Sequence, residues 1–482
     1  MSPIILWFRR DLRLVDNPAL NAAIKSGRPI LPIYIFETDT QKPLGQASLW
    51  WLHHSLGSLQ NSLKSIGLDL FMTKGAARDI IPDWIEASGA KQIVWNRRYD
   101  KGGIQTDKAL KEMLSADGLR VESFKSSVLF EPWEIKTQTG GYYKVYSPFW
   151  RRCLAHSEYI HPALPAPKKA IGFDLKQTDL AKTGLGVKRL SLEALSLLPT
   201  RLDWGAKLAP FWQIGEQGAL AALERFLAGP VEDYAEDRNR PDVMGTSRLS
   251  PHLAFGEISP RLIWHVTQAS GKSGGKFLSE IGWRDFSYHL LYFNPDLATQ
   301  NFKAQFNVYP WEVDDIKTQA WQQGRTGYPI VDAGMRELWA TGWQHNRVRM
   351  VTASFLIKHL RQPWQAGERW FWDTLVDADP ASNAASWQWV AGSGADASPY
   401  FRIFNPITQG QKFDPNGAYV RRWVPEIAGL SNRYLFCPWE APDDALKEAG
   451  IKLGVSYPRP IVEHKKAREA ALAGYKVMRG EG

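Results

Sequence analysis

The chain has 482 residues, 44% of them apolar and 23% charged, and a net charge of +9. This length exceeds what one hydrophobic core supports and predicts two or three domains. The basic excess favours a polyanionic partner. Two cysteines, Cys153 and Cys437, exclude a disulfide framework and a cysteine metal cluster, and are typical of a cytoplasmic protein. No apolar run reaches about 18 residues, so we expect no membrane-spanning segment.

The first 130 residues alternate buried-strand runs with amphipathic helices. The first run, within "MSPIILWFRRDLR", reads as a strand and not as a signal peptide. The predicted strands are "IILWF", "ILPIYIFE", "DLFMTKG", "KQIVWNRRYD" and "LRVESF". Helical stretches such as "NPALNAAIKSG" and "SLWWLHHSLGSLQNSLKSIG" separate them. Five strands with crossover helices predict a doubly wound parallel sheet. No G-x-G-x-x-G follows the first strand, which disfavours a dinucleotide bound in the Rossmann manner.

The rest of the chain changes in character. Residues 131–205 are irregular, contain "APKKAIGFDLKQTDLAKTG", and are interpreted as an interdomain connector. From residue 206 onward helical periodicity dominates, as in "GGKFLSEIGWRDFSYHLLYF" and "NRVRMVTASFLIKHL". The predicted domains are therefore an α/β domain at 1–130, the connector at 131–205, and a larger all-α domain at 206–482.

Two groups of polar residues in the helical half allow more than one interpretation. Thr246, Ser247 and Ser250 in "GTSRLSPHLAF" precede a helical stretch, where hydroxyl groups either cap the helix or bind a phosphate. Asp377 and Asp379 form a D-x-D pair that could hold a metal, yet no third ligand lies nearby. An aspartate paired with a buried arginine is at least as plausible.

Two further patterns put functional residue types on one helix face. Glu280 and Trp283 are three residues apart, and Asn346 and Met350 are four apart. Taken alone, each pair is more typical of a core or surface position than of a binding site.

The sequences of several motifs, and the order of these motifs along the chain, strongly resemble those of the photolyase/cryptochrome flavoprotein family. The resemblance rests on "WFRRDLRLVDNPAL", "GTSRLSPHLAFGEISP", "WRDFSYHL", "GYPIVDAGMRELWATGWQHNRVRMVTASFL", "ASWQWVAG" and "SPYFRIFNPITQGQKFDPNGAYVRRWVPE". It covers nearly the whole chain and implies an N-terminal α/β domain followed by a helical domain that binds FAD. Its details are closest to the cyclobutane pyrimidine dimer photolyases of class III, the branch related to plant cryptochromes.

The resemblance implies a set of FAD-binding residues. Arg349 is expected to pair with Asp377, and Asn383 to face N5 of the flavin and favour its reduced anion. The full implied set is Tyr234, Thr246, Ser247, Arg248, Leu249, Ser250, Arg349, Asp377, Ala378, Asp379 and Asn383.

Three tryptophans match the electron relay of the family. Trp387 is expected nearest the flavin, followed by Trp364 and then by Trp311 at the surface. The relay keeps FAD reduced in light and is separate from repair. Trp387 and Trp389 are thus expected to have different roles, which argues against a plain strand for "WQW" because a strand would put both rings on one side.

The resemblance also implies how damaged DNA is bound. The dimer pocket is expected to contain Glu280, Trp283, Asn346, Met350 and Trp389, and phosphate contacts are expected from Arg238, Arg347, Arg402, Gln409 and Lys412. Aromatic pairs stack on unpaired bases, and phosphate contacts make binding salt-sensitive. The implied reaction is transfer of an electron from excited, reduced FAD to the dimer, whose radical anion Glu280 stabilises. The electron then returns, and no metal is needed.

At the antenna-binding site the sequence differs from one branch of the family. Where folate-binding enterobacterial-type photolyases carry Asn-Glu, this chain has Gly102 and Gly103 in "RYDKGGIQTD". The stretches "SLWWLHHSL", "FEPWEI" and "SPFWRRC" resemble class III, which binds methenyltetrahydrofolate differently. We expect that folate, with a deazaflavin as the alternative.

The prediction is a monomeric, light-driven deoxyribodipyrimidine photolyase. Alternatives are a cryptochrome-type photoreceptor and a (6-4) photolyase. Asn383, where plant cryptochromes carry Asp, and the short stretch after Tyr475 disfavour the photoreceptor. The (6-4) enzymes carry a second His directly after the one that matches His345. This chain has Asn346 there, which disfavours a (6-4) photolyase. A generic nucleotide-dependent enzyme would need a phosphate loop or a cluster of catalytic acids, and the sequence contains neither. A non-catalytic DNA-binding protein would not need the flavin residues.

Overall fold

The computed structural model describes residues 1–174, 188–199, 202–397 and 401–481. Packing of the chain defines two compact units. The sheet unit comprises Met1–Tyr143, Ser147–Leu227 and Arg248–Pro295, and the helical unit comprises Lys144–Tyr146, Ala228–Ser247 and Asp296–Gly482. The division into domains at 1–130, 131–205 and 206–482 stays a prediction. Within the predicted connector, 175–187 and 200–201 lie outside the described residues.

The sheet unit is built around five parallel strands in the order β3-β2-β1-β4-β5. Central strand β1 pairs with β2 and β4, with Ile4 opposite Ile30 on one side and Gln92 on the other. The predicted doubly wound sheet is therefore confirmed. The strands are β1 (Ile4–Phe8), β2 (Ile30–Glu37), β3 (Phe71–Gly75), β4 (Gln92–Asn96) and β5 (Arg120–Phe124).

Four helices connect these strands, and local sequence explains the start of the first. Asn17 accepts a hydrogen bond from the backbone N–H of Leu20, and Pro18 occupies the first turn of the first helix. Apolar side chains from helices and strands, such as Trp7, Phe71 and Trp84, form one buried core. The helices are α1 (Pro18–Lys25), α2 (Gln46–Ser65), α3 (Ala77–Ser88) and α4 (Lys101–Ala116).

From residue 206 onward the described residues are mostly helical, as predicted, and the described residues between β5 and that point contain one further α-helix. The helices are α5 (Tyr146–Leu154), α6 (Glu216–Ala228), α7 (Tyr234–Asp237), α8 (Ser250–Phe255), α9 (Pro260–Ala269), α10 (Gly275–Phe293), α11 (Asp315–Gln322), α12 (Pro329–Thr341), α13 (Asn346–Ser354), α14 (Trp364–Thr374), α15 (Ser382–Ala391), α16 (Pro406–Phe413), α17 (Ala418–Trp423), α18 (Asn432–Leu435), α19 (Asp443–Glu448) and α20 (His464–Met478). A π-helical turn at Phe355–His359 follows α13. Across the part of the chain that is described, no helix is both long enough and apolar enough to cross a membrane.

Candidate functional site

An ion pair between a buried aspartate and a half-buried arginine lies at the start of "DADPASNAASWQW". The Nη2 atom of Arg349 lies 2.7 Å from Oδ2 of Asp377, and the Arg349 Nε donates to the carbonyl of Gln344 at 2.7 Å. The other carboxylate oxygen, Oδ1 of Asp377, is buried and has no hydrogen-bond partner among the described residues. Buried acceptors are normally satisfied, so this oxygen fits a donor group on a bound ligand such as FAD.

The next aspartate prepares the helix that follows. Oδ1 of Asp379 accepts hydrogen bonds from the backbone N–H groups of Ala381 and Ser382, at 3.0 and 2.7 Å. These donors would otherwise be unsatisfied at the start of α15. Ala378, between the two acids, is buried and has a side chain small enough for close approach of a flat group.

Asn383, in the first turn of α15, has its amide group oriented by a residue that the sequence did not indicate. Its Nδ2 donates to the side-chain Oε1 of Glu368 at 2.8 Å and to the Glu368 carbonyl at 3.1 Å. Because both bonds use the amide NH2 group, the amide oxygen is the atom left to accept from a ligand.

The two indoles of "WQW" have different environments because the segment is helical. Residues two apart on an α-helix point about 200° apart. Trp387 is buried against Phe371 and Trp321, with ring centroids 5.0 and 6.3 Å away. A Cβ at Gly367 would lie 2.1 Å from the Trp387 ring, so only glycine allows α14 to approach that ring. Trp389 is half-buried.

The other two predicted relay residues also lie in the helical unit. Trp364, the first residue of α14, is fully buried, and its indole N–H donates to Oδ1 of Asn301 at 2.8 Å. Trp311 is half-buried and lies against Tyr309, with ring centroids 4.4 Å apart. Of the three predicted relay tryptophans, Trp311, which is predicted to lie farthest from the flavin, is therefore the most exposed.

The start of α13 presents several of the predicted substrate and DNA residues. Asn346 is exposed, whereas Met350, one turn further on, is half-buried. The preceding His345 accepts from the backbone N–H of Arg347 and caps the helix. The backbone N–H of His345 donates to Glu337, whose carboxylate also accepts from the hydroxyl of Tyr419.

Three of the predicted phosphate-binding arginines form one cationic cluster. Burial, followed by the charges of Arg238 and Arg402, lowers the pKa of Arg347. Two residues missed by sequence reasoning hold this side chain. Arg347 donates to Oδ1 of Asn239 at 2.6 Å, and its guanidinium lies 4.3 Å from the centre of the Phe413 ring. Gln409 and Lys412 lie on α16, next to Phe413.

The sheet unit contributes another set of predicted residues. Glu280 and Trp283 lie on α10, and Glu280 is 3.4 Å from the ammonium of Lys276. A Cβ at Gly282 would lie 2.4 Å from the Trp150 ring, so α10 packs closely on that indole. Asp285, on the same helix, accepts from the backbone N–H groups of residues 129 and 130 and anchors it.

The hydroxyl-rich run has an unusual backbone. Arg248 has φ of 54°, in the left-handed region, and its guanidinium lies 4.7 Å from the Trp212 ring centre. The N-cap of α8 is Leu249, so neither Ser247 nor Ser250 is the cap residue. Thr246 is half-buried, and Tyr234, at the start of α7, is buried. A simple hydroxyl N-cap therefore does not explain this run.

The predicted site residues thus fall into two groups, each described within its own unit. The helical unit brings together Arg349 with Asp377, and Arg347 with Arg238 and Arg402. The sheet unit contains Arg248, Leu249, Ser250, Glu280 and Trp283. Roles for these residues toward a cofactor or DNA stay predictions.

Comparison with known proteins identifies the family. Residues 4–168 match the DNA photolyase domain, and residues 277–477 match the FAD binding domain of DNA photolyase. The chain is 51% identical to the deoxyribodipyrimidine photo-lyase of Agrobacterium fabrum, over 99% of this chain and 98% of that protein. It is 40% identical to cryptochrome-1 of Arabidopsis thaliana, over 96% of this chain and 69% of that protein.

A solved structure agrees with these similarities. The crystal structure of a bacterial class III photolyase from Agrobacterium tumefaciens has a TM-score of 0.94 and 50% identity, covering 100% of this chain and 98% of that one. The chain belongs to the photolyase/cryptochrome family, and its helical part carries an FAD-binding domain. The predicted family and fold class are confirmed.

Proposed function

We propose that this protein is a deoxyribodipyrimidine photolyase that uses blue light and reduced FAD to split cyclobutane pyrimidine dimers in DNA. The observation that carries the proposal is Asn383, a buried amide oriented by Glu368. It lies in a chain that matches a deoxyribodipyrimidine photo-lyase along almost its whole length. When bound, reduced FAD supplies the light-driven electron that opens the cyclobutane ring.

The proposed cofactor residues hold, orient and desolvate FAD. Asp377 offers its buried Oδ1 to a donor on the cofactor while Arg349 compensates its charge. Asn383 presents its amide oxygen at N5 of the flavin and favours the reduced anion. The diphosphate side is assigned to Tyr234 and the run Thr246, Ser247, Arg248, Leu249 and Ser250, and Ala378 and Asp379 are assigned to the side near the ribityl and adenine parts.

The proposed lesion pocket comprises Glu280, Trp283, Asn346, Met350 and Trp389. Photolyases are among the enzymes known to extrude their target base, and damage lowers the cost of unstacking. The two indoles stack on the extruded dimer, Asn346 hydrogen-bonds to it, and Glu280 stabilises the negative charge that develops on it. Lys276, 3.4 Å from Glu280, keeps that carboxyl group beside a cation until substrate arrives.

The proposed phosphate contacts come from Arg238, Arg347, Arg402, Gln409 and Lys412. Clustered like charges repel, and a phosphate relieves that repulsion. The lowered pKa of Arg347, which burial and then its two arginine neighbours cause, supports this assignment.

The proposed photoactivation path runs from Trp311 through Trp364 to Trp387. It supplies electrons that return FAD to its reduced state and takes no part in ring opening. The increase in burial from Trp311 to the two inner tryptophans supports this direction.

The proposed antenna is methenyltetrahydrofolate, with a deazaflavin as the alternative. We further propose that the protein acts as a monomer in the cytoplasm. Release of the chromophores by denaturation, followed by absorption spectra, distinguishes a folate from a deazaflavin, and light scattering tests the monomer.

A cryptochrome-type photoreceptor is the second candidate function. The 40% identity to cryptochrome-1 of Arabidopsis thaliana supports it. The test compares photoreduced protein on two DNA oligomers, one with a cyclobutane dimer and one with a (6-4) product. Blue light should restore only the first. Restoration of the second alone indicates a (6-4) enzyme, and restoration of neither indicates a photoreceptor.

A further inference from the structure

The middle residue of the proposed relay has a defined hydrogen-bond acceptor outside the family motifs. The buried indole N–H of Trp364 donates to Oδ1 of Asn301 at 2.8 Å. The NH2 group of Asn301 in turn donates to Oδ1 of Asn307 at 2.8 Å. The amide of Asn301 therefore has a fixed orientation, with its oxygen toward the indole.

The segment that carries Asn301 is held by the glutamine between the two indoles of "WQW". Nε2 of Gln388 donates to the carbonyl groups of Leu297 and Gln300, at 2.7 and 2.8 Å. Its Oε1 accepts from the backbone N–H of Phe302 at 2.8 Å. Both chain neighbours of Asn301 are thus bonded to one fully buried side chain. The helix that carries Trp387 consequently fixes the acceptor on Trp364.

The chemistry of an oxidised indole gives this contact a consequence. An indole that loses one electron becomes a radical cation, whose N–H is far more acidic than that of the neutral ring. An amide oxygen accepts a hydrogen bond from this N–H but is too weakly basic to take the proton. A carboxylate in the same place accepts a stronger, charge-assisted bond and can remove the proton.

We propose that Asn301 is a positioning residue for photoactivation. Its amide oxygen keeps the proton on oxidised Trp364, and Gln388 holds Asn301 in place. One electron passes from Trp364 to oxidised Trp387, and one passes from Trp311 to Trp364. Both inner indoles regain their electrons and retain their protons. Trp311 ends one electron short and releases its proton to water. This inference rests on the proposed relay, with excited flavin as the oxidant.

Two substitutions at one position test the inference. Asn301→Asp keeps the shape but supplies a base, and Asn301→Leu removes the acceptor. Gln305→Glu is the control, because it adds the same negative charge at an exposed side chain four residues further along the chain. Flash-induced absorption of the oxidised holoprotein separates the cation and neutral forms of the tryptophan radical. Far-ultraviolet circular dichroism and FAD content check folding.

The expected outcomes differ for each variant. Asn301→Asp should yield the neutral radical of Trp364 and a photoreduction yield several-fold below wild type. Asn301→Leu should retain the cation but photoreduce about fivefold less efficiently, as expected for the loss of one net hydrogen bond. Gln305→Glu should behave as wild type. In unilluminated protein, the ultraviolet Raman band of the Trp364 N–H should shift in Asn301→Leu.

Trp364→Phe separates failure of this inference from failure of the relay. If Trp364→Phe slows photoreduction while Asn301→Asp has wild-type radical spectra and yield, Asn301 has no such role and the relay stands. If Trp364→Phe leaves photoreduction unchanged, the relay is wrong and this inference falls with it. Repair by chemically reduced protein should be unaffected by either Asn301 variant.

Discussion

Two groups of arginines, one in each unit, have opposite electrostatic surroundings. At the carboxyl ends of the sheet strands, arginines face acids: Arg9 lies 2.5 Å from Asp107, and Arg98 lies 2.5 Å from Glu37. Burial acts to lower the pKa of Arg98, but neighbouring acids outweigh it and the pKa is raised.

Around Arg347 in the helical unit, neighbouring charges have the opposite effect on the arginine pKa. Arginine neighbours lower the pKa of Arg347 beyond the effect of burial, and Oδ1 of Asp377 is buried without a partner among the described residues. Ion-paired charge stabilises the fold, whereas we propose that a ligand satisfies the repelling charge around Arg347 and the unpartnered oxygen of Asp377. Four substitutions test this contrast.

The largest effect is expected from Arg349→Ala. It leaves the Asp377 carboxylate buried without its cation, which costs about 3–5 kcal/mol. We expect FAD loss and a correspondingly lower free energy of unfolding, measured by flavin absorbance and urea titration. Arg347→Gln, two residues away, is the control and should retain FAD. An Arg349→Ala protein with normal FAD content and stability would contradict the assigned role.

Glu37→Gln tests the compensated side of the comparison. It removes one partner of the Arg98 pair, although Asp100 remains 3.7 Å from that guanidinium. We expect destabilisation of roughly 2 kcal/mol, below the usual range for an isolated buried pair. Urea titration measures this, and DNA binding measured in parallel should be unchanged. Weaker DNA binding with intact stability would mean that this edge of the sheet binds DNA.

Asp285→Asn tests a buried carboxyl group of the sheet unit. Burial raises the pKa of Asp285 to about 7, although Arg284 partly offsets it. The folded state therefore holds a proton that the unfolded state has lost between about pH 4 and pH 7, and this contribution to stability decreases as pH rises through that window. The stability of Asp285→Asn relative to wild type should increase from pH 4 to pH 7. A constant difference across that range would show that Asp285 titrates normally.

The smallest effect is expected from Arg347→Gln on DNA affinity. Loss of one phosphate contact should weaken binding about tenfold and reduce the slope of log K against log salt by about 0.9. Fluorescence anisotropy at several salt concentrations measures both. Arg336→Gln, whose guanidinium lies 2.7 Å from Glu426, is the matched control for a compensated arginine. An unchanged slope in Arg347→Gln would remove that residue from the DNA surface.

The sequence predicted some features for clear physical reasons. Apolar runs and turn residues predicted the five strands, and the helical pattern of "NPALNAAIKSG" predicted α1. The motif resemblance predicted the Arg349–Asp377 pair, which is present. The separate environments of Trp387 and Trp389 also followed, because the segment is helical.

Other features depended on contacts between distant positions. Glu368 orients Asn383 from 15 residues away, and Gln388 reaches the segment around Asn301 from 88 residues away, with no periodic signal linking them. Asn239 reaches Arg347 in the same manner. Such polar partners are set by tertiary packing, which hydrophobic periodicity does not encode.

The central claim is that this protein splits dimers by an electron that is returned after each reaction. The direct measurement is the number of dimers that anaerobic, fully reduced holoprotein splits under blue light without added reductant. We expect many dimers per protein molecule while the flavin stays reduced, and none in the dark. One dimer or fewer per molecule, with oxidation of the flavin, would contradict the claim.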